Sequence, residues 1–267
     1  MCNINVKHSI NWIGKQQMNN IKYFLVSYDR LYDKTVDQLD SNELSMVYGY
    51  WNQKKVSKDI SKLIPNNINE WELSWNDYQY QTKQFYEYGA MVHLLNNPKL
   101  TENLTHIGLL HYDIIFEKNS VNNMISVLNN NPNTIFYQCK RQSEDLYLSE
   151  YELENICKFM SEKLDMNINS IDIWKNGWIS EALSLTPKSV FLKFALYIQT
   201  NIKEIEEILT KNRWGIMRIN HRVCGLIERM WGFYLVSCSL PLERMEVIHD
   251  RESYIHKHES QNNWIKT

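Results

Sequence analysis

The chain has 267 residues, 43% of them hydrophobic and 22% charged, with a formal net charge of −2. Such a length and balance predict a globular protein with a substantial buried core, and leave no basic field to hold a nucleic-acid backbone. No run approaches the roughly 18 apolar residues of a transmembrane segment, which argues against a membrane span.

The first clear element is Lys22–Tyr28, aromatic and β-branched, which reads as a buried strand running into the polar turn Asp29–Asp33. Residues 34–60 are mixed and amphipathic, and are expected to be helical in part. From Gln79 to Asn96, Phe85, Tyr88, Met91, Val92 and Leu95 recur at helical spacing, and Asn96-Asn97-Pro98 closes that helix. A strand is expected over 106–112 and a short helix over Ser120–Leu128, with Asn119 or Ser120 as its N-cap. Another strand is expected over Thr134–Gln138 and a helix over Ser149–Leu164. Ala182–Leu185 has strand character. Pro187 suits the first position of a helix reaching toward Leu209. Asn220–Val236 reads as a further helix and Glu246–His249 as a last short strand.

Strands alternating with helices predict an α/β fold with parallel character. Glycine (8) and proline (5) are scarce and no low-complexity linker occurs, so one domain over 1–267 is expected, with peripheral tails at 1–19 and 255–267. Cys2, Cys139, Cys157, Cys224 and Cys238 are odd in number, widely spaced and without a Cys-x-x-Cys pair. They read as free thiols in a reducing compartment. With no signal-type apolar core in residues 1–17, the expected location is the cytoplasm. Phosphate-loop, dinucleotide-binding and nucleophile-elbow motifs are absent, which sets aside the chemistries they serve.

The segment Ile107-Gly-Leu-Leu-His-Tyr-Asp-Ile-Ile-Phe116 carries the most chemistry. An apolar run breaks at His111-Tyr112-Asp113 and then resumes. Ligands of open α/β sheets collect at the carboxyl ends of strands. A carboxylate there is able to hold a divalent cation against a diphosphate, or simply to cap the next element. If the 22–28 and 106–112 strands lie side by side, Asp29 and Asp113 flank one crevice.

Three segments resemble a known family. In Phe85–Asn97, Glu87, Ala90 and Asn97 match its helix; in Thr105–Asp113, Ile107, Gly108, Leu109, His111 and Tyr112 match its Tyr-Ile-Gly-Leu-x-His-Tyr-Arg-Arg motif. Glu228-Arg229 precedes an aromatic-rich stretch, as the family's Glu-Arg-Leu does. The family is a group of bacterial and large-virus glycosyltransferases of polysaccharide synthesis, and the similarity runs in order over roughly residues 20–240. This chain departs from it at Asp113-Ile114, where the family has Arg-Arg, and it lacks the family's Gly-Asp-Asn-Ile-Ser stretch. The departure brings the segment closer to a general Asp-x-Asp pattern, with His111 at the first Asp and Asp113 at the second.

The resemblance implies a GT-A-like (Rossmann-like) mixed, mostly parallel sheet flanked by helices, transferring a sugar from a nucleotide-diphosphate sugar to a glycan hydroxyl. It implies Mn²⁺ or Mg²⁺ held by Asp113, His111 and His249. Ser27, Tyr28, Asp29, Arg30, Glu87, His111, Tyr112 and Arg222 would bind the donor. Trp178 and Asn176 would meet the acceptor, and Glu181, with Asp172 second, would act as base. Each position also has a structural reading: a turn, a cap, a buried histidine, a core tryptophan. Two other functions stay open. One is the same fold kept as an inactive glycan-binding or assembly module; the other is a nucleotidyltransferase.

Overall fold

The computed structural model describes residues 20–27, 44–49, 68–69, 87–111, 114–117, 119–211 and 222–249. The expected first strand is present as β1 (Ile21–Ser27). Residues 44–49, within the stretch expected to be partly helical, instead form a strand, β2 (Leu44–Gly49). Its Leu-Ser-Met-Val-Tyr-Gly sequence extends because β1 offers it a parallel ladder, Phe24 opposite Met46 and Ser27 opposite Gly49. β3 (Ile68–Asn69) adds to β2. Helix α1 (Glu87–Asn96) follows, then β4 (His106–His111), β5 (Ile114–Phe116), α2 (Ser120–Asn130) and β6 (Ile135–Arg141). The remaining elements are α3 (Glu150–Leu164), α4 (Ser170–Asn176), β7 (Trp178–Pro187), α5 (Lys188–Lys211), α6 (Arg222–Ser237), β8 (Leu242–Arg244) and β9 (Val247–His249).

Seven strands form one sheet in the order β3-β2-β1-β4-β7-β6-β8, and β5 pairs with β9 in a second. β1 is parallel to β2 and β4, β2 to β3, and β6 to β8, whereas β7 runs antiparallel to both its neighbours. The expected mixed, mostly parallel sheet flanked by helices is therefore the observed one. β1 and β4 do lie side by side, with Ile21 opposite His106 and Val26 opposite His111.

Strand alternation divides the core between the two faces. Phe24, Val26, Ile107 and Leu109 join the larger cluster, which α1, α3, α5 and α6 complete. Ile21, Tyr23 and Leu110 join Met124 and Leu128 of α2 in the smaller one. Gly108 of the family motif has its reason here. The Tyr23 ring lies across it on the neighbouring strand, and a methyl group at 108 would overlap ring carbons. That ring is buried and fixed, packed edge-on to Phe116 at 5.3 Å with its hydroxyl 3.4 Å from Met124 Sδ.

Local signals place the helix ends. Ser149 caps α3 in a capping box, accepting from Glu152 N while the Glu152 carboxylate accepts from Ser149 N at 2.8 Å. Asn119 occupies the N-cap of α2, as expected, but at φ 71° and without a side-chain cap bond. Pro187 ends β7, opposite His106, rather than opening the next helix. The helix starts one residue later, where Lys188 N donates to Thr105 O and Lys188 Nζ to Thr101 O and Glu102 O, each at 2.9 Å.

Among the described residues, no helix is long and apolar enough to cross a membrane, and Cys139, Cys157, Cys224 and Cys238 are free thiols.

His93, buried within α1, sets a pH dependence. Burial pushes its pKa down to about 4. Its folded pKa lies below the unfolded value near 6.5, so the unfolded chain binds the extra proton first. The contribution is full above about pH 6.5 and is lost as pH falls toward 4. The expected loss across that window is up to about 3 kcal/mol. His106 is also pushed down by burial, against the nearby Pro132 carbonyl, and adds in the same direction. Urea midpoints at pH 7 and pH 4.5 check this: His93→Gln should show a flatter dependence than the native chain.

Candidate active site

The carboxyl end of the sheet brings together the strand ends that carry Ser27, His111 and Glu181. β1 ends at Ser27, and β4, parallel and adjacent, ends at His111. β7 runs antiparallel to β4, with Ser184 opposite Leu109, so Glu181 lies further toward the same edge. β6 pairs antiparallel with β7 and therefore points the same way as β4, ending there at Arg141, opposite Trp178. Tyr28, Asp29, Arg30, Tyr112 and Asp113 lie outside the described residues.

The second sheet brings a distant residue to this place. Ile114, immediately after Asp113, is paired with His249 across the β5–β9 ladder. Ile115 pairs with Ile248 and Phe116 with Val247, and Glu117 N donates to Glu246 O at 2.8 Å. The strand that follows Asp113 is thus locked to a segment more than a hundred residues downstream. Among the described residues alone, no cluster of three His, Cys, Asp or Glu groups is placed to hold a metal ion.

A buried polar cluster lies beside this edge, between α1 and α6. Glu87 opens α1 and is buried, and the Cys224 thiol in the first turn of α6 is 4.0 Å from its Oε2. Burial, reinforced by Glu228, Cys224 and Glu87, pushes the Tyr88 hydroxyl up. Burial, with Glu87 and Glu228, does the same to the Cys224 thiol, so both are neutral at neutral pH.

Arg229 is 5% exposed. Its Nε donates to Leu146 O and an Nη to Gly225 O, both at 2.7 Å, and the guanidinium lies 5.5 Å from the centre of the Trp178 ring. Burial pulls its pKa down and Glu228 opposes that, with Arg141 and Tyr147 near enough to act as well. Arg141 Nε in turn donates to Ser180 Oγ at 2.9 Å. Glu87 and Glu228-Arg229, far apart in the chain, are in this way parts of one assembly. Arg222 opens α6, roughly 10 Å along the helix axis from Arg229 and one turn or less from Cys224.

Trp178 requires a correction. It is 2% exposed, packed edge-on to Phe233 at 6.1 Å and under Arg229. Such a ring has no face to offer a sugar; α6 covers it. Asn176 and Asp172 are exposed on α4, an element that the apolar pattern did not announce. Its start is set by Asn169, whose Oδ1 accepts from Ile171 N at 2.9 Å, and its end by Gly177 at φ 80°. A side chain at 177 would also overlap the Arg141 carbonyl oxygen. Tyr88 sat on the predicted apolar face of its helix. Only the nearby Glu87, Cys224 and Glu228 turn it into a member of a polar cluster, and no local signal carries that.

No family model and no curated protein matches the chain. Among solved structures, it is similar to the apo bifunctional glycosyltransferase WbbM, at 11% identity and a TM-score of 0.48, over 86% of this chain and 45% of that one. It is also similar to the mannosyltransferase Ktr4p from S. cerevisiae, at 11% identity and a TM-score of 0.43, over 89% of this chain and 72% of that one. The GDP complex of Ktr4p gives 10% identity and a TM-score of 0.42, over 89% and 73%. The chain thus spans less than half the length of WbbM.

Proposed function

We propose that this chain is a GT-A-like glycosyltransferase, which moves a sugar from a nucleotide-diphosphate sugar to a hydroxyl of a glycan. One observation carries the reading. The strand ends bearing Ser27, His111 and Glu181 meet at one edge of the sheet, and the β5–β9 ladder returns His249 to the residue after Asp113. The motif resemblance through His111-Tyr112 and Glu228-Arg229 supports it independently.

In this reading Ser27 to Arg30 hold the base and ribose, where hydroxyl, carboxylate and backbone groups accept and donate hydrogen bonds. His111, Asp113 and His249 are the candidate ligands of a divalent cation. A carboxylate with imidazoles suits Mn²⁺ at least as well as Mg²⁺, which prefers oxygen alone. When bound, the cation offsets negative charge on the diphosphate. Arg222, at the start of α6, adds a fixed positive charge for the same group. Glu181 takes the proton from the acceptor hydroxyl, with Asp172 as the second candidate. The buried α1–α6 cluster holds Glu87 in place beside the donor.

The test is a thermal-shift screen of nucleoside diphosphates and nucleotide sugars, with and without Mn²⁺, followed by donor hydrolysis. A ligand present at a hundredfold its Kd stabilises the native state by about 2.7 kcal/mol, a readily measured shift. One sugar nucleotide should shift the melt and be hydrolysed slowly to nucleoside diphosphate. A glycan-binding module would turn over no donor. A nucleotidyltransferase would consume a nucleoside triphosphate and release pyrophosphate.

A further inference from the structure

Tyr147 sits at φ 54°, in the left-handed region that bulky residues rarely occupy. It lies between two buried leucines, Leu146 and Leu148, and is itself 60% exposed. Both flanks are pinned. The Leu146 carbonyl accepts from buried Arg229, and the capping box of Ser149 and Glu152 follows directly. The backbone is thus held in a strained shape that pushes an aromatic ring into solvent. Strain of this kind persists where the surroundings over-determine it, and it clusters at functional sites.

A second ring stands nearby in sequence. Tyr151, in the first turn of α3, is 73% exposed. Helix α4 packs against the 143–146 turn and carries the exposed Ile171, Asp172 and Asn176. Of the four large apolar side chains exposed among the described residues, Tyr147, Tyr151 and Ile171 belong to these adjoining segments. The segments follow the carboxyl end of β6, on the same sheet edge as His111 and Glu181. Two exposed tyrosine rings four residues apart, with a carboxylate and a carboxamide exposed on the helix that packs against the turn before them, supply the groups a pyranose needs. The apolar face of a sugar ring stacks on the aromatic, and its hydroxyls bond to the polar groups.

We infer that Tyr147 and Tyr151 form the platform on which a pyranose unit of the acceptor glycan stacks, the role that buried Trp178 is unable to fill. The word acceptor rests on the transferase reading; the sugar platform itself does not.

The experiment uses the full chain on an array of immobilised hexose-containing oligosaccharides, in parallel with donor hydrolysis. The native chain should bind at least one glycan. Tyr147→Asn and Tyr151→Ala should each weaken that binding tenfold or more, while Tyr147→Phe keeps most of it. Tyr147→Asn should melt no lower than the native chain, because asparagine tolerates the left-handed conformation, so its loss of binding is not a loss of fold. Donor hydrolysis should be the same in all variants. Undiminished glycan binding in Tyr147→Asn and Tyr151→Ala, no glycan binding by the native chain, or an equal loss of donor hydrolysis would overturn the platform. Tyrosine-dependent glycan binding in a protein that hydrolyses no donor would uphold the platform and sink the transferase reading alone.

Discussion

Alanine at position 232 is expected to lower the melting temperature by roughly 2–8 °C, at 2–4 °C per kcal/mol for a chain of this size. Gly232 lies in α6 where that helix crosses β7. A methyl group there would overlap the Ile179 carbonyl oxygen and come within 2.9 Å of the Trp178 ring. Two effects oppose each other. Alanine favours a helix over glycine by about 1 kcal/mol. Overpacking a close-packed core costs about 1–3 kcal/mol and sometimes more. The clash prevails because its main partner is backbone: no rotamer change relieves it, and α6 has to move off the sheet. That displacement would also disturb Arg229, which links the same helix to Leu146 and Trp178. Calorimetric melts of the native and Gly232→Ala chains decide the point. A variant that melts at the native temperature or higher would mean that α6 and β7 are not in the close contact described.

Asp113→Ala is expected to reduce donor hydrolysis at least about a hundredfold, the scale of removing one group that stabilises developing charge. His249→Ala should cost about ten- to a hundredfold, as loss of a supporting contact at a metal site does. The more telling measurement is the double variant. His249 is paired with Ile114, the residue after Asp113, and in the proposed site both side chains hold the same cation. Groups that act as a unit are non-additive. The double variant should therefore be scarcely slower than Asp113→Ala alone. A full product of the two single losses would show that they act separately, and the proposed cation site would fail. Chelation should reduce the native rate, and added Mn²⁺ should restore it in the native chain but not in Asp113→Ala.

Much of the local architecture is readable from residues alone. The aromatic and β-branched run of 22–28, the apolar run of 106–112, the Ser149 and Glu152 pair, and the proline after Asn97 each act through a few neighbouring atoms. They announce β1, β4, the start of α3 and the end of α1 within a residue or so. That β1 and β4 are neighbours is only a condition at the level of sequence, and the ladder between them meets it. Pro187 misleads by one position because its suitability for the first turn of a helix is equally compatible with the last residue of a strand.

What the chain order hides is which surfaces meet. Trp-Ile-Ser-Glu at 178–181 has no clean strand pattern, yet it extends because Arg141, Lys140 and Cys139 pair with it from a strand forty residues earlier. Trp178 looks like a ring for a ligand until α6 closes over it, and Tyr147 looks like an ordinary loop residue until its pinned neighbours hold it outward. The sequence by itself determined β1, β4, the start of α3 and the polar residues that end β1 and β4, because propensity and capping are short-range. Only the tertiary structure decided that His249 pairs with Ile114, that Glu87 meets Cys224, and which aromatics face water. Strand pairing and burial depend on partners far away along the chain, and no local pattern encodes them.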